Sequence, residues 1–238
     1  MKMTNRSIIT AATLLVFTMQ MFAQNIPTAN WTGPWGVQVN TWNGNFFYDR
    51  TDLAIPNQGV SLEFSFFYNA FRDTLDLGFG KGWTNTYSFR YIQASADTVV
   101  VERPDGRGDA YRFTGGMYKS PKGIFDKLEA YQPGKMRLTT KSGMQYFFDD
   151  ASHKRLTKIE DTNGNSIALT YSNGDLVSVT DPSGRVVTLQ WTNGHLATIT
   201  DNNTTPGRTI SYSYNNGFLQ QVTDPLGNTM QYSYDNRQ

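Results

Sequence analysis

Leu156–Asp175 reads LTKIEDTNGNSIALTYSNGD, and Leu176–His195 reads LVSVTDPSGRVVTLQWTNGH. Leu196–Phe218 (LATITDNNTTPGRTISYSYNNGF) and Leu219–Gln238 (LQQVTDPLGNTMQYSYDNRQ) carry the same pattern. The units begin at intervals of 20, 20 and 23 residues, and the three extra residues fall within Asn202–Pro206. A fixed period of this length marks a repeat array, in which each unit is one supersecondary element that needs its neighbours to bury its apolar face.

Each unit reads as β structure. In the second half, Ile167, Leu169 and Tyr171 alternate with Ala168 and Thr170. Val187, Leu189 and Trp191 repeat this, as do Ile210, Tyr212 and Tyr214, then Met230, Tyr232 and Tyr234. Period two with β-branched and aromatic residues predicts a strand. In the first half Leu176 and Val179 are offset by three, so a short strand with a bulge or bent start is expected. Asn173-Gly174, Asn193-Gly194 and Asn216-Gly217 predict type I′ hairpins, whose two central residues both need positive φ. Asp181-Pro182-Ser183-Gly184 and Asp224-Pro225-Leu226-Gly227 suit type I turns, in which Asp caps, Pro presets φ and Gly closes. The expected fold is all-β, a continuous antiparallel ribbon of hairpins.

The rest of the chain sets limits on function. It has 238 residues, 38% apolar and 14% aromatic, with a net charge of +1. Charge this small and this interspersed gives no field to draw in nucleic acid. Cysteine is absent, which excludes disulfides and thiolate chemistry. Lys2 and Arg6 precede the apolar run Ile8–Phe17, too short to span a bilayer but fitting a secretory signal peptide cleaved after Ala23. Export is therefore expected, to the periplasm, the cell surface or the medium, with no membrane span in the mature chain.

Before the repeats, Phe46–Asp49, Val60–Tyr68 and Trp83–Tyr91 are expected strands, separated by Pro56-Asn57-Gln58-Gly59 and Gly78-Phe79-Gly80-Lys81-Gly82. Here a resemblance becomes specific. The pattern G-x-L-x-x-[IV]-x-D-x-x-G-x-x-x-x-x-Y, with the Tyr-Asp pair intact at Tyr234-Asp235, resembles the YD or RHS repeat. Thr51-Asp52-Leu53, Ile55-Pro56, Tyr68-Asn69 and Gly78–Trp83 resemble the N-terminal (DUF6531-like) module of Rhs proteins. Pro104-Asp105-Gly106-Arg107, Tyr111-Arg112-Phe113 and Tyr146-Phe147-Phe148-Asp149 resemble that family's run into the repeats. The chain is identified as a member of the Rhs/YD-repeat family. The expected organisation is a signal peptide over 1–23, a linker over 24–36, the β module over 37–100 and hairpins over 101–155. Four repeats follow over 156–238, the last incomplete.

The resemblance implies a non-enzymatic scaffold, part of a spiralling β-shell that in full-length relatives encloses and delivers a C-terminal toxin. Its partners would be further YD repeats or a toxin domain. The alternative is a surface module that binds glycans through Tyr171, Trp191, Tyr212 and Tyr214; the same rings are needed for the core face of the sheet. No cofactor or metal is expected. Asp161–Asn165 lacks the glycine and glutamate positions of a calcium loop. His153 is read as a turn residue and His195 as a solvent-facing turn residue, and no hydrolase motif accompanies them. Arg107-Gly108-Asp109 is read as part of a turn and not as an adhesion tripeptide. Asp224–Gly227 resembles the self-cleavage site of Rhs cores, but Asn228 stands where Leu is expected, so a turn is the reading there too. The fourth unit reaches Gln238 without a hairpin glycine or polar cap, so an aggregation-prone chain and a gene that continues are expected.

Overall fold

The computed structural model describes residues 30–32, 38–40, 44–150 and 153–235. The expected signal peptide lies outside the described residues. Three antiparallel sheets follow one another, each with its strands in chain order. The first holds β1 (Asn30–Thr32), β2 (Gln38–Asn40), β3 (Phe46–Ile55), β4 (Leu62–Asn69) and β5 (Trp83–Asn85). The second holds β6 (Arg90–Gln93), β7 (Thr98–Glu102), β8 (Gly108–Thr114) and β9 (Met117–Lys119). Among the described residues the helical content is one 3-10 turn, Ala70–Arg72, whose first turn is capped by the Asn69 side chain.

The third sheet has eleven strands. It starts at β10 (Lys127–Gln132), β11 (Lys135–Thr139) and β12 (Gln145–Phe148), then runs without a break into the repeats. Every unit supplies two strands: β13 (Lys158–Glu160) and β14 (Ser166–Ser172), β15 (Asp175–Thr180) and β16 (Val186–Thr192), β17 (His195–Asp201) and β18 (Arg208–Asn215), and β19 (Phe218–Thr223) and β20 (Thr229–Gln231).

The sequence features account for the geometry. Ile167 and Leu169 point into the core while Ala168 and Thr170 are exposed, as the alternation requires. The three-residue offset is a bulge. Thr170 pairs with Ser178 and Tyr171 with Leu176, so Val177 is the extra residue, and Ala197 and Gln220 repeat it. The bulge lets Leu176 and Val179 both face inward, at 5% and 0% exposure. Asn173, Asn193 and Asn216 take φ of 50°, 52° and 52°, and each following glycine is also positive, which is the type I′ hairpin.

Two expectations before the repeats need correction. Trp83–Tyr91 is not one strand. The Asn85 side chain accepts hydrogen bonds from the Tyr87 backbone N–H and the Ser88 hydroxyl, turning the chain so that β5 joins the first sheet and β6 the second. β3 runs six residues past Asp49, to Ile55, because a bulge absorbs its break in alternation: Thr51 pairs with Ser65 and Leu53 with Phe64, leaving Asp52 as the extra residue.

Candidate functional site: the seam between module and repeats

A meander places its turns in two rows, and the eleven-stranded sheet has an Asp-turn row along one edge and an Asn-Gly row along the other. The first sheet packs on the apolar face between them and reaches both rows. At the Asp-turn row, the Arg185 guanidinium donates to the Pro56 carbonyl at 2.7 Å and the Ser183 hydroxyl to Asn57 Oδ1 at 3.0 Å. At the Asn-Gly row, the Lys81 N–H donates to the Gly217 carbonyl and the Leu196 N–H to the Gly78 carbonyl, both at 2.8 Å. His195 Nε2 lies 2.9 Å from Asp76 Oδ2, and Lys81 Nζ sits 4.7 Å from the Phe218 ring centre.

The Gly78-Phe79-Gly80-Lys81-Gly82 loop needs its glycines here. Gly78 has φ +86°, and a Cβ there would strike the Trp191 ring. Gly80 has φ +95°, and its Cβ would lie 2.8 Å from the Leu219 nitrogen. Between them Phe79 turns inward against Phe66 and Trp191, with ring centres 5.8 and 5.4 Å away. The loop thus lies backbone-to-backbone on the repeats with one aromatic anchor.

At the centre of the seam is a buried ion pair. The bulge turns Asp52 inward to Arg50, 3.0 Å away, and both side chains are under 10% exposed. The Tyr212 hydroxyl donates to Asp52 Oδ2 at 2.7 Å and Arg50 Nη1 donates to the Tyr232 hydroxyl at 2.8 Å. The rings of Phe66, Trp83, Tyr212 and Tyr232 surround the guanidinium at 5.3 to 5.9 Å. Burial raises the Asp52 carboxyl above the usual carboxylate range, opposed by the Arg50 charge and the Tyr212 bond. Burial, reinforced by the Asp52 carboxylate, also holds the Tyr212 hydroxyl well above the ordinary tyrosine range. Module and repeats therefore share one polar knot inside one hydrophobic core.

Three of the four aromatic residues read as glycan contacts, Tyr171, Trp191 and Tyr212, turn their polar tips into the protein. Tyr171 donates to the Leu156 carbonyl at 2.9 Å and Trp191 Nε1 to the Leu176 carbonyl at 2.8 Å. Tyr234 donates to Leu219 in the same way, at 2.8 Å. In all three units the donor stands fifteen residues after the leading Leu. The repeat aromatic is thus a latch that satisfies the carbonyl of its own unit's leading Leu, a residue that borders the bulge in the units led by Leu176 and Leu219. Unit three, lengthened by its insertion, instead has the Tyr212 hydroxyl on Asp52 and the Tyr214 ring tilted against His195, with ring centres 4.6 Å apart. His195, read as a solvent-facing turn residue, is half-buried because the module's Asp76 and the Tyr214 ring close over it.

The turn aspartates act as backbone caps. Asp181, 4% exposed, accepts from the backbone N–H groups of Ser183 and Arg185 and pairs with the Arg185 guanidinium. Asp224 accepts from the N–H groups of Leu226 and Asn228 and from the Asn228 amide, and Asp161 does the same with Asn163 and Asn165. These bonds hold the Asp161 and Asp224 carboxyls below their ordinary range, with the Asn165 and Asn228 side chains the largest cause. Pro182, Gly184, Pro225 and Gly227 complete those turns, with Gly184 and Gly227 at φ +80° and +86°. The Arg107-Gly108-Asp109 tripeptide is folded away: Asp109 is 5% exposed and pairs with Arg103 and Arg107. His153 is exposed beside Asp150. Among the described residues no group of three His, Asp or Glu side chains is placed to hold a metal ion.

This arrangement defines a repeat-built β scaffold, with its N-terminal module seated across the repeats. Residues 36–111 match the family described as Domain of unknown function (DUF6531), and residues 124–237 match the family described as Teneurin YD-shell. A comparison with curated proteins gives no match. The chain belongs to the Rhs/YD-repeat family: it is a DUF6531 module followed by YD repeats.

Proposed function

We propose that the chain is an exported, non-enzymatic scaffold that forms the opening part of a β-shell, to which further YD units add and within which a C-terminal toxin is enclosed. The observation that carries this reading is the seam. The module contacts both turn rows of the repeat sheet and shares its core, an arrangement that fixes the start of an array and leaves side chains for packing. Among the described residues β20 is exposed and stands last in its sheet, an edge against which a following strand would pair. No helix among the described residues is long and apolar enough to cross a membrane. Glycan binding through Tyr171, Trp191, Tyr212 and Tyr214 has less support, because Tyr171, Trp191 and Tyr212 use their polar tips within the fold.

The test is co-production of the chain with the polypeptide encoded directly downstream, followed by proteinase K digestion. Enclosure predicts further YD units downstream and a protected C-terminal fragment that becomes digestible once urea opens the shell. A downstream product cut equally fast with and without the chain would refute enclosure. N-terminal sequencing of the product from a Gram-negative host tests export: cleavage after Ala23 is expected, and an intact Met1 on cytoplasmic protein would overturn it.

A further inference from the structure

Asn-Gly is a reactive pair as well as a turn former. The glycine nitrogen, unshielded by a side chain, can attack the Asn side-chain carbonyl carbon. The N–C bond that forms closes a five-membered succinimide, and the side-chain nitrogen leaves as ammonia, carrying off the proton of the attacking amide. Water then opens one of the two C–N bonds of the ring and leaves Asp or isoaspartate. The reaction needs no cofactor and no second protein. It does need the turn to open, because a type I′ backbone directs the glycine nitrogen away from the Asn side chain. Contacts that tie the turn down therefore slow the chemistry.

The chain has five Asn-Gly pairs, and Asn43 of the first lies outside the described residues. The other four differ in what holds them. The Gly164 N–H donates to the Asp161 carbonyl and the Asn163 N–H to the Asp161 carboxylate, at 3.2 and 2.8 Å, so that pair is bound into its own turn. Gly194 lies under the module: a Cβ on Gly78 would come 2.8 Å from its carbonyl oxygen. The residues that follow it, His195 and Leu196, are held by Asp76 and the Gly78 carbonyl. The Gly217 carbonyl accepts from the Lys81 N–H, and the Lys81 stem lies against the glycine itself. Asn173-Gly174 has no such tie to the module. Both residues are exposed, and among the described residues a Cβ added at Gly174 would meet only the Arg155 guanidinium, the flexible end of a side chain.

We propose that Asn173-Gly174 is a spontaneous deamidation site of the folded chain, where Asn173 becomes Asp and isoaspartate well before Asn163, Asn193 or Asn216 reacts. Isoaspartate adds a methylene to the backbone and ends the type I′ turn, and Asp adds a charge close to Arg155. The module thus shields two of the three hairpins along the Asn-Gly row and leaves the first to react alone. The inference rests on the contacts of the seam and is independent of export and enclosure.

The full chain, held at mildly alkaline pH and physiological temperature, is digested with trypsin and read by tandem mass spectrometry. Asparagine should be lost at Asn173 about tenfold faster than at Asn163, Asn193 or Asn216, the factor equivalent to ~1.4 kcal/mol of opening free energy. In urea the three hairpin pairs should react at rates within about twofold of one another, since folding is what separates them. Asp76→Ala, which frees His195, should raise the Asn193 rate toward that of Asn173 with an unchanged circular dichroism spectrum. Equal rates at Asn173 and at either Asn193 or Asn216 in the folded chain would overturn the proposal. A preference for Asn173 that persists in urea, or an Asn193 rate indifferent to Asp76→Ala, would overturn it as well.

Discussion

Arg50→Met removes the cation at the centre of the seam and leaves the Asp52 carboxylate buried without its ion-pair partner. Breaking a buried ion pair costs about 3–5 kcal/mol. Cation–π contact with the four surrounding rings is worth up to ~2 kcal/mol when desolvated, part of which the methionine recovers by packing. The Tyr212 bond to Asp52 survives, so a loss of ~3–5 kcal/mol is expected. For a chain of this size that lowers Tm by roughly 10 °C. The loss must depend on pH. Burial already raises the Asp52 pKa, and without Arg50 it rises further. A group whose folded pKa lies above its unfolded value contributes stability that is complete below the unfolded value, near 3.9, and is lost as pH rises through the folded one. The variant should therefore regain stability relative to the native chain as pH falls from 7 toward about 4.5. Arg50→Met combined with Asp52→Asn, which keeps an acceptor for Tyr212, should recover ~2 kcal/mol at pH 7. Urea denaturation of the native chain and the two variants at pH 7 and 5 measures all of this. A single-variant loss under ~1 kcal/mol, or one that does not change with pH, would refute the buried-pair reasoning.

Other positions give independent tests. Asp181→Ala leaves two backbone donors and a guanidinium without their acceptor, and should cost ~1–3 kcal/mol in urea unfolding. Asp161, Asp201 and Asp224 have lowered pKa values, so their contribution is complete above the unfolded value near 3.9 and lost as pH falls through their folded values. Acid unfolding followed by circular dichroism should thus begin only below about pH 4, and Asp201→Asn should shrink the pH-dependent loss. Gly80→Ala should destabilise by at least ~1–3 kcal/mol through its positive φ and the Leu219 backbone, measured as a shift in Tm. Trp191→Ala should cost ~3–5 kcal/mol, whereas Trp191→Phe, which keeps the ring and loses the bond to Leu176, should cost nearer 1–2 kcal/mol.

The repeats were readable because local chemistry decides them. Asn-Gly pairs require positive φ, Asp-Pro-x-Gly caps its own turn, and alternation assigns faces, so strands, hairpins and bulges follow from short windows. The latch was present as a period: a leading Leu with an aromatic fifteen residues on appears in three units, but only the structure shows its polar tip reaching the Leu carbonyl. The module was harder to read. The turn at Asn85 is one side chain that diverts a run rich in strand formers, and Asp52 looks like a break in alternation until its bulge turns it toward Arg50. The contacts of Arg50 with Tyr232 and of Asp52 with Tyr212 span 182 and 160 residues, and no local pattern announces them. His195 was misread for the same reason, since its partner Asp76 lies 119 residues away.

The scaffold depends most on the module lying across the repeat sheet and touching both rows of turns. A native chain without cysteine makes this directly measurable. Asn57→Cys with Ser183→Cys places thiols where the native side chains meet at 3.0 Å, and Asp76→Cys with His195→Cys does the same at the opposite row. Asn57→Cys with Asn215→Cys joins the two rows and serves as the control. A short bis-maleimide, with mass spectrometry of the monomer, reads the outcome. Both seam pairs should cross-link within the monomer at high yield while the control does not. Equal yields for all three pairs, or cross-linking only between chains, would contradict the seated module and the scaffold built on it.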